Sequence, residues 1–351
     1  MLDFESFQQY VKDNIKDFLP SEFADAEVNL QTVNKNNGKQ LHGITIRTGE
    51  NPVCPNIYLD QFYENYKEQG MDIDVVMERV AQLELEHMNP SEDFSSIAEK
   101  FKDVEFIKSH VVVAIVNAEK NAEMLQNTPH KLTEDLAIIY KVYLGGGSDG
   151  IGTITIKDEH MKQWDISLDE LHACAMENSK TIMPAKVQDM GSVLAEMMGG
   201  MPEDMMPMVA EDKMMYVISN EQKVNGAASI IYSDALEKLS EKLGTDLYIL
   251  PSSIHETIAI SANFGTPEEL AQMVREVNAT QVSQEEQLSD HVYKYDAKTK
   301  TLSLADVEGL SQDISKVSED KQSYDAANTE VSRPRHHDNQ QWALSAMDDG
   351  Q

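Results

Sequence analysis

Leu247-Tyr248-Ile249-Leu250-Pro251-Ser252-Ser253-Ile254-His255-Glu256-Thr257-Ile258-Ala259-Ile260 sets two apolar runs on either side of a polar stretch. Runs of this length and composition read as buried strands, so the segment places hydroxyl, imidazole and carboxyl groups in the middle of a sheet. Buried polar groups cost free energy unless they are paired, and the cluster therefore needs a structural or a chemical reason. In a strand, Ser253 and His255 project to one face and Glu256 to the other.

Outward from this segment the same two periodicities alternate. On the N-terminal side, Met215–Ser219 and Ala227–Tyr232 read as strands, and Ser233–Leu243 as a helix ended by Gly244. On the other side, Thr266-Pro267-Glu268-Glu269 opens a helix with Thr as N-cap and Pro in its first turn, running to about Val277. Tyr293–Leu304 reads as a hairpin around Asp296-Ala297-Lys298. In the first half, an amphipathic helix covers Phe4–Phe18, and strands are expected at Ala26–Val33 and Leu41–Arg47 about an Asn36-Asn37-Gly38 turn. Helices follow at Leu59–Gln69 and Ile73–His87, with Glu84, Glu86 and His87 on a solvated helix end. Val111–Val116 is a buried strand, and Ala118–Leu125 a short helix. Leu136–Leu144 and Ile151–Ile156 form a hairpin across Gly145–Gly150, and Ser167 caps a helix to about Asn178 with Glu170 as capping-box partner. Leu136–Asn178 and Met215–Leu243 both read strand, turn, strand, helix, a weak internal echo.

The pattern predicts an α+β protein with two sheet-containing lobes at 1–180 and 215–308. A Met-rich connector at 181–214 joins them, and a polar, disordered tail runs over 309–351. Ten of the nineteen methionines fall within 181–215, among glycines and prolines, and predict a mobile connector with a short helix at Asp189–Met198. The chain has 351 residues, 41% of them hydrophobic, without an apolar run near membrane-spanning length, which predicts a soluble protein. Its start, Met1-Leu2-Asp3-Phe4-Glu5-Ser6, lacks a basic and apolar leader pattern and points to the cytoplasm. Cys54 and Cys174 are expected to be free thiols. With 61 acidic against 29 basic residues, the formal charge of −32 disfavours direct nucleic-acid binding, and the lack of a long apolar run argues against a membrane partner. An acidic decoy for a nucleic-acid-binding protein is the opposite use of the same charge.

Several marks occur together: Asn127-Thr128-Pro129-His130 with Asp135-Leu136-Ala137, Met215-Tyr216-Val217-Ile218-Ser219-Asn220, and Gly226-Ala227-Ala228 with Tyr232. Leu250–Glu256 and Met273-Val274-Arg275-Glu276-Val277-Asn278 complete the set. On these the chain resembles an uncharacterised family of gut-bacterial proteins of unknown function, over nearly all of its length to about residue 308. It is similar to a second uncharacterised bacterial group around Asp165–Asn178. The resemblance implies a bacterial cytoplasmic protein and carries no mechanism.

Ser253, His255 and Glu256 are the catalytic candidates, on a nucleophile–base–orienter reading. The strand alternation makes a triad of these three neighbours awkward, and no G-x-S-x-G elbow precedes the serine. A workable variant uses His255 as base with Asp135 or Glu276 from elsewhere. The structural alternative is a Pro251-Ser252-Ser253 bend whose hydroxyls serve the backbone. Candidate binding residues are Asp135, Asn220, Tyr232, Ser252, Glu276 and Asn278. No cofactor or metal is expected: His255-Glu256 lacks a second histidine four positions on, and His87, His130, His160 and His172 are dispersed. Gly145-Gly146-Gly147 lacks the Lys-Ser/Thr ending of a phosphate loop and reads as a turn. The expectation is a binding or interaction protein with an unknown protein or small-molecule partner, the alternative a hydrolase-like enzyme using Ser253, His255 and Glu256.

Overall fold

A computed structural model of the chain describes residues 1–48, 56–87, 99–147, 150–197 and 214–306. The expected tail, Cys54, the tip of the glycine turn and the second half of the Met-rich segment lie outside the described residues. The described residues fall into two compact units, one of 1–107 with 143–154 and the other of 108–142 with 155–306. The fold is α+β: among the described residues, eleven helices accompany three antiparallel sheets.

The first unit begins with α1 (Phe4–Asn14), capped by Asp3, whose carboxylate accepts the Ser6 N–H at 2.8 Å. β1 (Glu27–Asn34) and β2 (Gln40–Arg47) form a hairpin over a turn in which Asn37 and Gly38 have φ of 57° and 69°. β3 (Asn56–Tyr58) adds to β2, so that Leu30, Ile44 and Ile57 line up across the three strands. This row packs with Phe7, Val11 and Ile15 and with Val76, Met77, Val80 and Ala81 of α3 (Ile73–His87), which follows α2 (Asp60–Glu68). Glu84 continues the same stripe. It is fully buried, contrary to the solvated helix end expected for it, and neither carboxyl oxygen has a hydrogen-bond partner. Burial pushes its pKa up to about 8.

In the second unit, α4 (Val104–His110) leads into β4 (Val111–Asn117), every residue of which is buried. After α5 (Ala122–Leu125), the second sheet takes the order β4, β6 (Leu136–Gly147), β5 (His130–Thr133); β7 (Gly150–Thr155) pairs with β6, and β6 from Tyr143 on and β7 to Ile154 are counted with the first unit. α6 (Asp158–Trp164) and α7 (Leu168–Ile182) follow. α7 packs on β4 and seals its open edge: Ser179 Oγ accepts the Val113 N–H at 2.9 Å, while the Asn178 amide donates to the carbonyls of Lys108 and Val111.

The third sheet has the order β13 (Thr301–Leu304), β12 (Tyr293–Asp296), β10 (Leu247–Leu250), β11 (Thr257–Ser261), β9 (Met215–Asn220), β8 (Ala185–Asp189). β8 comes from the Met-rich segment, whose expected short helix is α8 (Met190–Met197) and whose residues 185–189 form an edge strand that was not expected; Asp189 accepts the Ser192 N–H at the helix start. Ala227–Tyr232 is not a strand. It forms a 3-10 turn at Gly226–Ala228 and α9 (Ser229–Tyr232), because its small residues are buried on all sides and a short run buried all round carries no period. The internal echo fails with it. α10 (Ala235–Leu243) ends at Gly244 with φ 65°. α11 (Pro267–Thr280) starts at the expected Thr266 N-cap, which also forms a capping box with Glu269, and runs three residues past Val277.

Candidate functional site

Pro251–Glu256 is the connection between β10 and β11, not a strand, so the alternation of faces expected for Ser253, His255 and Glu256 does not apply. Proline contributes no N–H to a ladder, and the register of β10 with β11 closes at Leu250 opposite Ile258. Residues 286–289 hold the connection from one side: Ile254 N–H donates to the Glu286 carbonyl at 2.8 Å, and the Leu288 and Ser289 N–H groups donate to the Ser252 and Pro251 carbonyls. From the other side Ala227 N–H donates to the Ile254 carbonyl, and Ser219 Oγ to that of His255 at 2.8 Å. Gly226 permits this approach. A Cβ there would lie 2.5 Å from the His255 carbonyl oxygen and 2.7 Å from the Asn220 nitrogen.

Ser253 Oγ accepts the His255 N–H at 3.0 Å, closing a local turn of the kind expected for a bend. His255 Nδ1 accepts the Asn225 N–H at 3.3 Å, which puts the hydrogen of the neutral ring on Nε2. Nε2 lies 3.8 Å from Glu286 Oε1, and the imidazole is 30% exposed. Glu256 is exposed, and so is Glu276, whose carboxylate accepts from Gln272 on the outer face of α11. The carboxylate brought to His255 is thus that of Glu286. Lys223 and Asn225, in the loop supplying the N–H to His255, both adopt left-handed backbone with φ 57° and 51°. Asn220, fully buried, ties that loop through both ends of its amide to the Val224 backbone. Tyr232 is buried with its hydroxyl donating to the Met183 carbonyl at 2.5 Å, and Ser229 Oγ, 3.0 Å from that hydroxyl, donates to the Ser219 carbonyl.

Asp135 and Asn278 meet in a second network that shares the 286–290 backbone. The Asp135 carboxylate accepts from the Tyr293 hydroxyl, from Ser289 Oγ at 2.6 Å and from Asn117 Nδ2 at 3.5 Å. Burial, with the Asp135 charge beside it, pushes the Tyr293 hydroxyl pKa well up. Asn278 Nδ2 donates to the Ser289 carbonyl and to Asp290 Oδ1 at 2.7 Å, and Lys120 Nζ reaches Asp290 Oδ2 at 3.0 Å and Gln287 Oε1 at 3.4 Å. Burial raises the Asp290 pKa, but the Asn278 and Lys120 donors outweigh it and the net shift is down. Ser252 enters only through its carbonyl.

The sequence reading left out Lys120, Asn117 and the whole 286–290 segment. One signal was available: the polar run Gln284–His291 contains Leu288, which like the adjoining Val292 is fully buried. Among the described residues no group of three or more His, Cys, Asp and Glu side chains is placed to hold a metal ion. Chemically, the arrangement offers a half-exposed imidazole N–H beside a carboxylate, with the neighbouring hydroxyl committed to the backbone.

A model of the DUF5688 family, a family of unknown function, matches residues 4–297. The chain belongs to DUF5688. The DUF5688 match takes in both networks and ends in the turn between β12 and β13. No curated protein and no solved structure matches the chain.

Proposed function

We propose that this DUF5688 member is a non-catalytic binding protein of the bacterial cytoplasm, with His255 and Glu286 at its recognition site. One observation supports the reading most: Ser253 Oγ accepts the N–H of His255 while the imidazole Nδ1 is taken by Asn225. A serine nucleophile gives its hydroxyl hydrogen to the base, and here the acceptor nitrogen of His255 takes the Asn225 N–H instead. The imidazole N–H and the Glu286 carboxylate then form a donor–acceptor pair for a polar ligand or a protein partner. The charge of −32 favours a partner that is itself cationic.

The test is labelling of the intact protein with a fluorophosphonate, followed by peptide mapping, alongside a panel of ester and amide substrates. No adduct on Ser253 and no turnover sensitive to His255→Ala is the expected result. A Ser253 adduct that His255→Ala abolishes would replace the binding reading with the hydrolase alternative.

A further inference from the structure

Lys157 follows β7 and immediately precedes α6. The Ile156 N–H donates to the Tyr140 carbonyl at 2.9 Å, so Lys157 continues alongside β6 next to Lys141, which is itself buried. Its Nζ donates to Thr128 Oγ1 at 3.0 Å. Thr128 is 1% exposed, and its own hydroxyl hydrogen goes to the Met124 carbonyl at 2.8 Å. The hydroxyl therefore acts on the lysine only as an acceptor. Other lysines of this acidic chain, Lys120, Lys131 and Lys294 among them, hold a carboxylate at 2.9–3.0 Å. Lys157 has no such ion pair among the described residues, although Asp158 and Glu159 come next in sequence.

We propose that Lys157 is a reactive amine that condenses with the carbonyl group of a small aldehyde or ketone. In its neutral form an amine that gives one N–H to an acceptor-only hydroxyl keeps its lone pair free, and a half-buried site whose hydrogen-bond partner is uncharged favours that form. The lone pair attacks the carbonyl carbon to give a carbinolamine, which loses one water to leave the imine. No oxidant or further reactant is consumed. Burial moves the Lys157 pKa down, Asp158 and Glu159 oppose this, Lys141 adds to it, and the net shift is downward. The Lys157 backbone N–H donates to His160 Nδ1 at 3.0 Å, and burial is the main cause that pushes the His160 pKa down. The inference is independent of the binding role proposed for His255 and Glu286.

Reductive trapping of the full-length protein tests it. The chain is treated with sodium cyanoborohydride and either formaldehyde or butyraldehyde across a pH series, and adducts are mapped by mass spectrometry. Lys157 is expected to react about tenfold faster at neutral pH than the exposed Lys298, with a rate that levels off at lower pH. Equal or slower reaction at Lys157 with both aldehydes, or a pH profile matching that of Lys298, overturns the proposal. The wild-type peptide map gives the result directly, and Lys157→Arg serves only to confirm the assignment.

Discussion

Glu84 and Gly226 both have surroundings that leave little freedom. A carboxyl whose pKa is raised by folding stabilises the fold when protonated. Its contribution is complete below the unfolded value of about 4.3 and is lost as pH climbs toward the folded value. For Glu84 that window closes at about 8. Denaturant titrations should show wild-type stability falling relative to Glu84→Gln by up to about 1.4 kcal/mol per pH unit across this window. A difference that stays flat with pH would refute the buried acid. Asp290 runs the other way: its depressed pKa gives stability above the ordinary carboxylate range that is lost on acidification. Gly226→Ala drives a methyl into two backbone atoms and is expected to cost about 3 kcal/mol, read as a lower melting temperature.

At the scale of elements, caps and turns carried most of the legible information. The Thr266 and Ser167 caps, the Asn37-Gly38 turn and the Gly244 stop all stand where short-range chemistry placed them. Thr266→Ala should cost about 1 kcal/mol in chemical denaturation, since the two bonds of its hydroxyl, from the Glu269 N–H and to the Glu269 carboxylate, are then lost. Failures occurred where tertiary contacts decide the conformation. Gly226–Tyr232 is apolar enough for a strand, but it coils because Ser229 and Tyr232 find backbone partners on β9 and at Met183. Leu250–Glu256 looked continuous because its turn is made by Ser253 bonding two residues on, a pattern that no hydrophobic period reports. The site was half legible for the same reason: Asp135 and Asn278, singled out as candidate binding residues, both lie in one polar network, whereas the carboxylate beside His255 is that of Glu286 and not of Glu276. A carboxylate on an exposed helix face and one on a half-exposed turn are indistinguishable in sequence.

At the scale of the whole chain, the second unit contains two sheets that meet at the Asp135 carboxylate and the Lys120 ammonium. The turn between β5 and β6 supplies Asp135, and β12 with its preceding segment supplies Tyr293 and Ser289. Asp135→Ala leaves two buried hydroxyls without an acceptor and is expected to cost about 3 kcal/mol. Tyr293→Phe in that background should recover part of the loss, giving a coupling energy of about 1 kcal/mol or more in a double-mutant cycle. Additive effects would deny the pair its role as a joint.

The partners of Asp135 are 154 and 158 residues away along the chain. Loop closure on that scale cannot precede the hairpins that carry the two ends, so the joint forms after the rate-limiting barrier to folding. Stopped-flow chevrons of Asp135→Ala should therefore keep the refolding arm of the wild type and raise the unfolding arm, a φ-value near zero. The carboxylate that clips the sheets together would then govern how long the native state lasts, and leave unchanged how fast it is reached.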